Sequence, residues 1–112
     1  AVKVLTQGLL DEKLLNLSEQ GSLDNAIESG AYRRFYMHRT SHWLGMDVHD
    51  VGFTTEPFAP GWVLTVEPGI YIPKEGFGVR LENDIIVTPD GPVDLMDDTP
   101  VEADEIEELM NA

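Results

Sequence analysis

The stretch Trp62-Val-Leu-Thr-Val-Glu67-Pro-Gly-Ile-Tyr-Ile72 decides the fold of this chain. β-Branched and aromatic residues on both sides of a Pro-Gly turn are typical of short strands. We therefore predict strands over Trp62–Val66 and Ile70–Ile72. A third strand is predicted over Val79–Thr88, which the turn sequence Pro-Asp-Gly closes.

Alternation along these strands predicts which polar side chains share a face. Successive side chains of a strand point to opposite sides, so Thr65 and Glu67 lie on one face. In the third strand, Arg80, Glu82 and Asp84 share a face in the same way. Glu82 is then expected in the middle of a strand, where a buried carboxylate must be paired, protonated or bound to a metal.

Helices are predicted on both sides of this region. Apolar residues recur at helical spacing from residue 1 to about 17, with a break near Gly8. Ser22 is expected to cap a short helix over Leu23–Ser29, which Gly30 ends in a left-handed conformation.

A last helix is predicted to start at Thr99-Pro-Val-Glu102. In this arrangement Thr99 caps the helix, Pro100 takes the first helical position and Glu102 completes a capping box. Its apolar stripe consists of Ile106, Leu109 and Met110. Strands and helices in these segments predict an α+β domain.

Composition narrows the class of protein. The chain has 112 residues, is 42% apolar, and contains no apolar run near the length of a membrane span. Its net charge of −14 argues against nucleic acid or an anionic membrane as a partner. The absence of cysteine excludes disulfides and thiolate sites, and we expect a cytoplasmic protein. The eight acids from Asp94 to Glu108 are interpreted as a solvated helix face rather than an interaction tail.

Four residues carry the candidate chemistry: His42, His49, Glu67 and Glu82. Imidazole and carboxylate groups are ligands of divalent Mn, Zn, Co or Fe, and two carboxylates beside a histidine are typical of hydrolytic metal centres. Each residue also has a simpler explanation. An acid at a strand end is usually solvated, Arg80 could pair with Glu82, and a histidine next to a tryptophan is often a core or turn residue.

These residues lie in strings that resemble the C-terminal part of aminopeptidase P, the Xaa-Pro aminopeptidases of the creatinase-like, pita-bread metallopeptidase family. The resemblance covers essentially the whole chain. Its most specific strings are Arg34-Phe-Tyr-Met-His38, Thr40-Ser-His42-Trp-Leu-Gly45, Asp47-Val-His-Asp-Val-Gly52, Val66-Glu67-Pro-Gly-Ile-Tyr71 and Arg80-Leu-Glu82-Asn-Asp84-Ile.

The resemblance implies the second half of a pita-bread fold, an antiparallel curved sheet flanked by helices. It implies His42, Glu67 and Glu82 as metal ligands, with Glu82 bridging two ions, Mn²⁺ by preference and Zn²⁺ or Co²⁺ as alternatives. The implied catalytic residues are His38, His49 and Arg80. The expected substrate is a peptide with proline at its second position, and a homo-oligomer is expected.

The resemblance also implies that residues 1–112 are the C-terminal half of a metallopeptidase catalytic domain, in a truncated chain. The family's two aspartate ligands come from an upstream segment, so we expect the isolated chain to be inactive. Arg39 departs from the glycine often found there in the family. Two alternatives stay open: a truncated non-catalytic homologue that binds metal or another chain, and an Xaa-Pro dipeptidase similar to prolidase.

Overall fold

The computed structural model describes all residues 1–112, which form two compact units. The first unit consists of residues 1–40 and 68–80, and the second of residues 41–67 and 81–112. The helices are α1 (Val2–Asp11), α2 (Leu17–Gln20), α3 (Leu23–Glu28), a 3-10 helix (Ala31–Arg34) and α4 (Ala103–Met110). The strands are β1 (Val63–Val66), β2 (Gly69–Ile72), β3 (Phe77–Arg80), β4 (Asn83–Thr88) and β5 (Gly91–Asp94). None of the helices has both the length and the apolar character that crossing a bilayer demands.

The first helix is shorter than the sequence predicts. Instead of continuing to about residue 17, α1 ends at Asp11, while the predicted break near Gly8 does not occur. Lys13 has a positive φ of 60°, which turns the chain back on itself. The Leu15 N–H then donates to the carbonyl of Leu9 at 2.9 Å. Leu15 is buried after this turn. The apolar pattern of the sequence therefore continues beyond Asp11, although the backbone is no longer helical.

The start and end signals of α3 are confirmed. Ser22 has extended backbone, and its side chain accepts a hydrogen bond from the Asn25 N–H at 3.1 Å. Gly30 follows the helix with φ of 72°, a conformation that costs glycine little.

The core of the first unit joins these helices to the β2–β3 hairpin. Leu9, Leu15 and Phe35 are its buried centre, and Ile70 and Ile72 of β2 pack against them. The Tyr71 N–H donates to the Phe35 carbonyl at 2.9 Å, which fixes the hairpin on the segment after the 3-10 helix.

The second unit is built on an antiparallel sheet with the order β1-β4-β5. In it Leu64 pairs with Ile85 and Val66 with Asn83. The predicted single strand over Val79–Thr88 is wrong, because the chain changes partner within it. β3 pairs with β2, β4 pairs with β1, and Glu82 lies between the two strands and is exposed rather than mid-strand.

The predicted capping box of the last helix is also wrong. α4 begins at Ala103 after Glu102, and no side chain caps it. Residues 101–112 are all exposed, including the predicted apolar stripe at Ile106 and Leu109. No buried contact therefore favours the predicted helix start at Pro100 over the observed start at Ala103.

Candidate metal centre

Three of the predicted ligands meet in the second unit. One ligand atom from each of His42, Glu67 and Glu82 lies within 4.8 Å of the other two. Strand pairing explains how residues distant in sequence converge. Val66 is the last residue of β1 and pairs with Asn83, the first residue of β4. Glu67 follows the one and Glu82 precedes the other, so both carboxylates leave the same end of the strand pair.

Thr65 holds His42, the third predicted ligand, against this strand end. Its Oγ1 accepts a hydrogen bond from the His42 N–H at 3.0 Å, and its own N–H donates to the His42 carbonyl at 3.0 Å. The same hydroxyl donates to Glu67 Oε1 at 3.2 Å. Thr65 is 1% exposed, so it has little freedom to move. A buried side chain thus fixes both a histidine and a carboxylate, the arrangement that orients metal ligands.

The hydrogen bonds of His42 leave one ring nitrogen facing a carboxylate. Its Nδ1 lies 2.9 Å from the Trp43 carbonyl, which can only accept, so Nδ1 carries the proton. Nε2 lies 3.0 Å from Glu67 Oε1. In a neutral imidazole, two lone pairs would then face each other. A proton or a cation at this point removes that repulsion, so the geometry of Nε2 suits a metal ion.

The charges at the site favour a cation as well. Two carboxylates within 4.8 Å of each other repel, and a divalent ion between them replaces repulsion by attraction. The His42 and Glu67 side chains are 21% and 12% exposed, whereas Glu82 is exposed, so the site is open on one side. The donors, one imidazole and two carboxylates, suit Mn²⁺, Zn²⁺ or Co²⁺. The residues present therefore fit a divalent metal ion.

His49 lies beside His42. Its ring is 4.4 Å from the His42 ring, centre to centre, at an angle of 77°. A tight loop places it there. The Asp50 carboxylate accepts hydrogen bonds from the N–H groups of Met46 at 2.9 Å and Val51 at 2.8 Å. A Cβ at Gly45 would overlap that carboxylate, so a larger residue there would displace the Asp50 side chain.

An aromatic cluster supports the loop on the sheet side. Trp43 forms a β-bridge with Leu64, and its ring contacts those of Trp62 and Phe58 at 4.4 and 6.2 Å. A Cβ at Gly52 would overlap the Trp43 indole, so the loop crosses the ring closely. Neither His38 nor His42 lies in a helix.

The other two predicted catalytic residues, His38 and Arg80, belong to the first unit. His38 Nδ1 lies 2.7 Å from the Arg39 carbonyl and Nε2 lies 2.8 Å from the Tyr71 hydroxyl. Nδ1–H therefore donates and Nε2 accepts. A Cβ at Gly69 would lie 3.0 Å from that Nε2, so a glycine leaves room for the pair. Arg80 is exposed at the end of β3, opposite Gly69.

The sequence did not predict the roles of Thr65 and Asp50, whose hydrogen bonds hold His42, Glu67 and the loop that carries His49. Thr65 shares a face with Glu67, and that alternation was the available signal for a contact between them. Its bonds to His42 span 23 residues, which a local pattern does not reveal. Asp50 stands between Gly45 and Gly52, and an acid flanked by glycines in a loop is a signal for hydrogen bonding to backbone N–H groups.

Comparison with known proteins identifies the family to which this chain belongs. Residues 11–89 match the model of metallopeptidase family M24, and the chain belongs to that family. Among its relatives are the Xaa-Pro aminopeptidases of Haemophilus influenzae and Escherichia coli, which are 43% and 40% identical to it. These alignments cover 98% and 99% of the chain. Human Xaa-Pro aminopeptidase 3 is 40% identical over 90% of the chain.

Solved structures give the same result for the fold. Zinc-substituted E. coli aminopeptidase P in complex with product has a TM-score of 0.87 at 40% identity. Aminopeptidase PepP of Pseudomonas aeruginosa has a TM-score of 0.88 at 44% identity. Each likeness covers 98% of this chain and 27% of the other. The predicted α+β, pita-bread architecture is confirmed for the segment that the chain spans, which is about a quarter of the length of these relatives.

Proposed function

We propose that this chain forms part of the catalytic site of a metal-dependent Xaa-Pro aminopeptidase, which hydrolyses the bond between an N-terminal residue and a following proline. The observation that carries the proposal is the convergence of His42, Glu67 and Glu82, whose ligand atoms lie within 4.8 Å. The names of the relatives support the reaction class, since those compared above are Xaa-Pro aminopeptidases.

The proposed metal is Mn²⁺, with Zn²⁺ or Co²⁺ as alternatives that the same donors accept. When bound, such an ion activates water and polarises a carbonyl group as a Lewis acid. His42 presents Nε2 to the ion, while its Nδ1–H stays bonded to the Trp43 carbonyl. Glu67 receives the Thr65 hydroxyl at Oε1, which orients the carboxylate to take up a proton from the nucleophile.

The remaining site residues are proposed to handle the substrate. His49, exposed and edge-on to His42, can donate a hydrogen bond to the carbonyl oxygen on which negative charge develops. By resemblance, His38 lines the substrate site and Arg80 supports the substrate or a carboxylate. His38 has a fixed tautomer, since it accepts the Tyr71 hydroxyl proton at Nε2.

A two-ion centre needs more ligands than this segment supplies. The family resemblance places two aspartate ligands in a preceding segment, and the 112 residues span 27% of the E. coli relative. We propose that residues 1–112 are the C-terminal half of the catalytic domain and that they alone do not turn over peptides. Glu82 is proposed to bridge the ions in the complete site.

Two other readings share these observations. An Xaa-Pro dipeptidase would use the same ligands on a shorter substrate, and a non-catalytic homologue would bind metal without turnover. Comparing the cleavage of a tripeptide with that of a dipeptide distinguishes the aminopeptidase from the dipeptidase. An activity assay of the complete enzyme distinguishes a catalytic protein from a non-catalytic homologue. Homo-oligomeric assembly and a cytoplasmic location stay predictions.

The test uses a chimera in which residues 1–112 replace the matching segment of E. coli Xaa-Pro aminopeptidase. We expect it to release the N-terminal residue from a tripeptide with proline second, and to cleave the corresponding dipeptide much more slowly. Glu82→Gln should lower kcat by at least about 100-fold, while the exposed Glu28→Gln should not. A folded chimera that prefers the dipeptide supports the dipeptidase reading. A folded, inactive chimera, or an active Glu82→Gln variant, overturns the proposal.

A further inference from the structure

Three arginines stand close together in a strongly acidic chain. The sequence has 21 acids and 7 lysines or arginines, yet Arg33, Arg34 and Arg39 fall within one short segment. None of these guanidinium groups forms an ion pair with a carboxylate in the structure. Arginine does not lose its charge at ordinary pH, so this segment carries three positive charges.

Two of these arginines line a cavity of about 430 Å³ in the first unit. No acidic side chain lines it; the walls are Val2, Tyr32, Arg33, Tyr36, Met37, His38, Arg39 and Thr40. The charged part comes from Arg33 and Arg39, and the apolar part from two tyrosine rings, a methionine and a valine. Such a cavity is complementary to a molecule with an anionic group and an apolar body.

The wall of the cavity is held in place by bonds among its own residues. The Tyr36 hydroxyl is hydrogen-bonded to Thr40, and both ring nitrogens of His38 have partners. Tyr36 is 4% exposed, so the wall is anchored in the unit. The guanidinium groups are then the donors that remain for a ligand.

Arg33 is further oriented by its neighbour. Its guanidinium carbon lies 5.9 Å from the centre of the Tyr32 ring. A hydrogen bond to the Tyr32 side chain raises the pKa of Arg33, which keeps the group cationic. Arg34 instead lies over the Phe35 ring at 5.3 Å and does not line the cavity.

We propose that this cavity binds the carboxyl terminus of a short peptide, with the terminal carboxylate on Arg33 and Arg39 and the last side chain against Tyr32 and Met37. A guanidinium and a carboxylate match in charge and planar geometry, which gives charge-assisted hydrogen bonds. None of the cavity's lining residues belongs to the candidate metal group, and the proposed binding needs no metal. The inference rests on the proposed function only for the choice of a peptide as the source of the carboxylate.

The experiment follows the amide signals of the ¹⁵N-labelled 112-residue chain by NMR in the presence of EDTA. The probes are N-acetyl-Ala-Phe with a free carboxyl terminus, the same peptide as its amide, free 3-phenylpropionate and inorganic phosphate. We expect the peptide acid to shift signals of residues 32–40 saturably, and the amide to bind at least about tenfold more weakly. Comparable binding of the amide overturns the proposal, and phosphate or 3-phenylpropionate binding as tightly as the peptide acid overturns the peptide assignment.

Variants locate the binding to the cavity. Arg39→Gln should raise the Kd of the peptide acid by about tenfold or more. Arg34→Gln makes the same charge change outside the cavity and should leave this Kd within about twofold of wild type. Equal losses in both variants would mean general attraction and overturn the site. Glu82→Gln should leave this Kd unchanged. An active chimera with no peptide binding refutes this inference alone, and peptide binding with an inactive chimera refutes the proposed function alone.

Discussion

Replacement of Thr65 by valine probes how the proposed metal ligands, His42 and Glu67, are held. Valine keeps the branched shape but removes the hydroxyl that accepts from the His42 N–H at 3.0 Å and donates to Glu67 Oε1 at 3.2 Å. The reverse backbone bond, from Thr65 N to the His42 carbonyl, is retained. The His42 N–H then lacks its hydrogen-bond partner. Because Thr65 is only 1% exposed, water does not easily replace the lost hydroxyl.

The expected cost follows from these bonds. A partly buried donor left unsatisfied costs roughly 1–3 kcal/mol of unfolding free energy. Loss of a group that orients metal ligands lowers metal affinity by roughly 10- to 100-fold. Urea unfolding gives the first quantity, and calorimetric titration with Mn²⁺ and Zn²⁺ gives the second.

Thr6→Val is the matched control for this experiment. Thr6 is 0% exposed and its hydroxyl donates to the Val2 carbonyl at 2.7 Å, but it lies in α1, in the first unit. It should cost stability without changing metal affinity. If Thr65→Val binds metal as tightly as wild type, or if Thr6→Val weakens binding as much, Thr65 does not organise the ligands.

Three further predictions concern the backbone and the protons of the site. Gly8→Ala, in the interior of α1 with no atom within 4 Å of the new Cβ, should raise the unfolding free energy by about 0.5–1 kcal/mol in urea. Gly45→Ala should lower the unfolding free energy by roughly 1–2 kcal/mol, because the Asp50 carboxylate must leave the Met46 and Val51 N–H groups. The NMR signals of His49 should also shift. Unchanged His49 signals would mean that the loop does not position this residue. Metal affinity should fall on acidification, because protons compete for the same imidazole nitrogen and carboxylate oxygens, and titrations in buffers of different ionisation enthalpy should show proton release on binding.

Local signals in the sequence predicted the ends of α3 but not the end of α1 or the start of α4. Ser22 caps α3 as expected because a cap depends on residues three positions apart. Thr99 does not cap α4, since the same kind of pattern also permits a start at Ala103 and no buried contact decides between them.

Non-local structure was harder to predict. The run from Val79 to Thr88 looks like one strand, but Arg80 pairs with Gly69 in one sheet and Asn83 with Val66 in another. The resulting break exposes Glu82 and places it at the strand end beside Glu67. The ligand assignment therefore depends on this convergence, not on a buried position in a strand.

Anomalous diffraction from crystals of the chain soaked with Mn²⁺ or Zn²⁺ locates a bound ion and so shows whether His42, Glu67 and Glu82 are its ligands. We expect a peak at coordination distance from His42 Nε2 and from the carboxylates of Glu67 and Glu82, about 2.0–2.2 Å for zinc. The peak should disappear in the Glu82→Gln variant or lose occupancy. A peak among the exposed acids of residues 94–108, with none at His42, would contradict it.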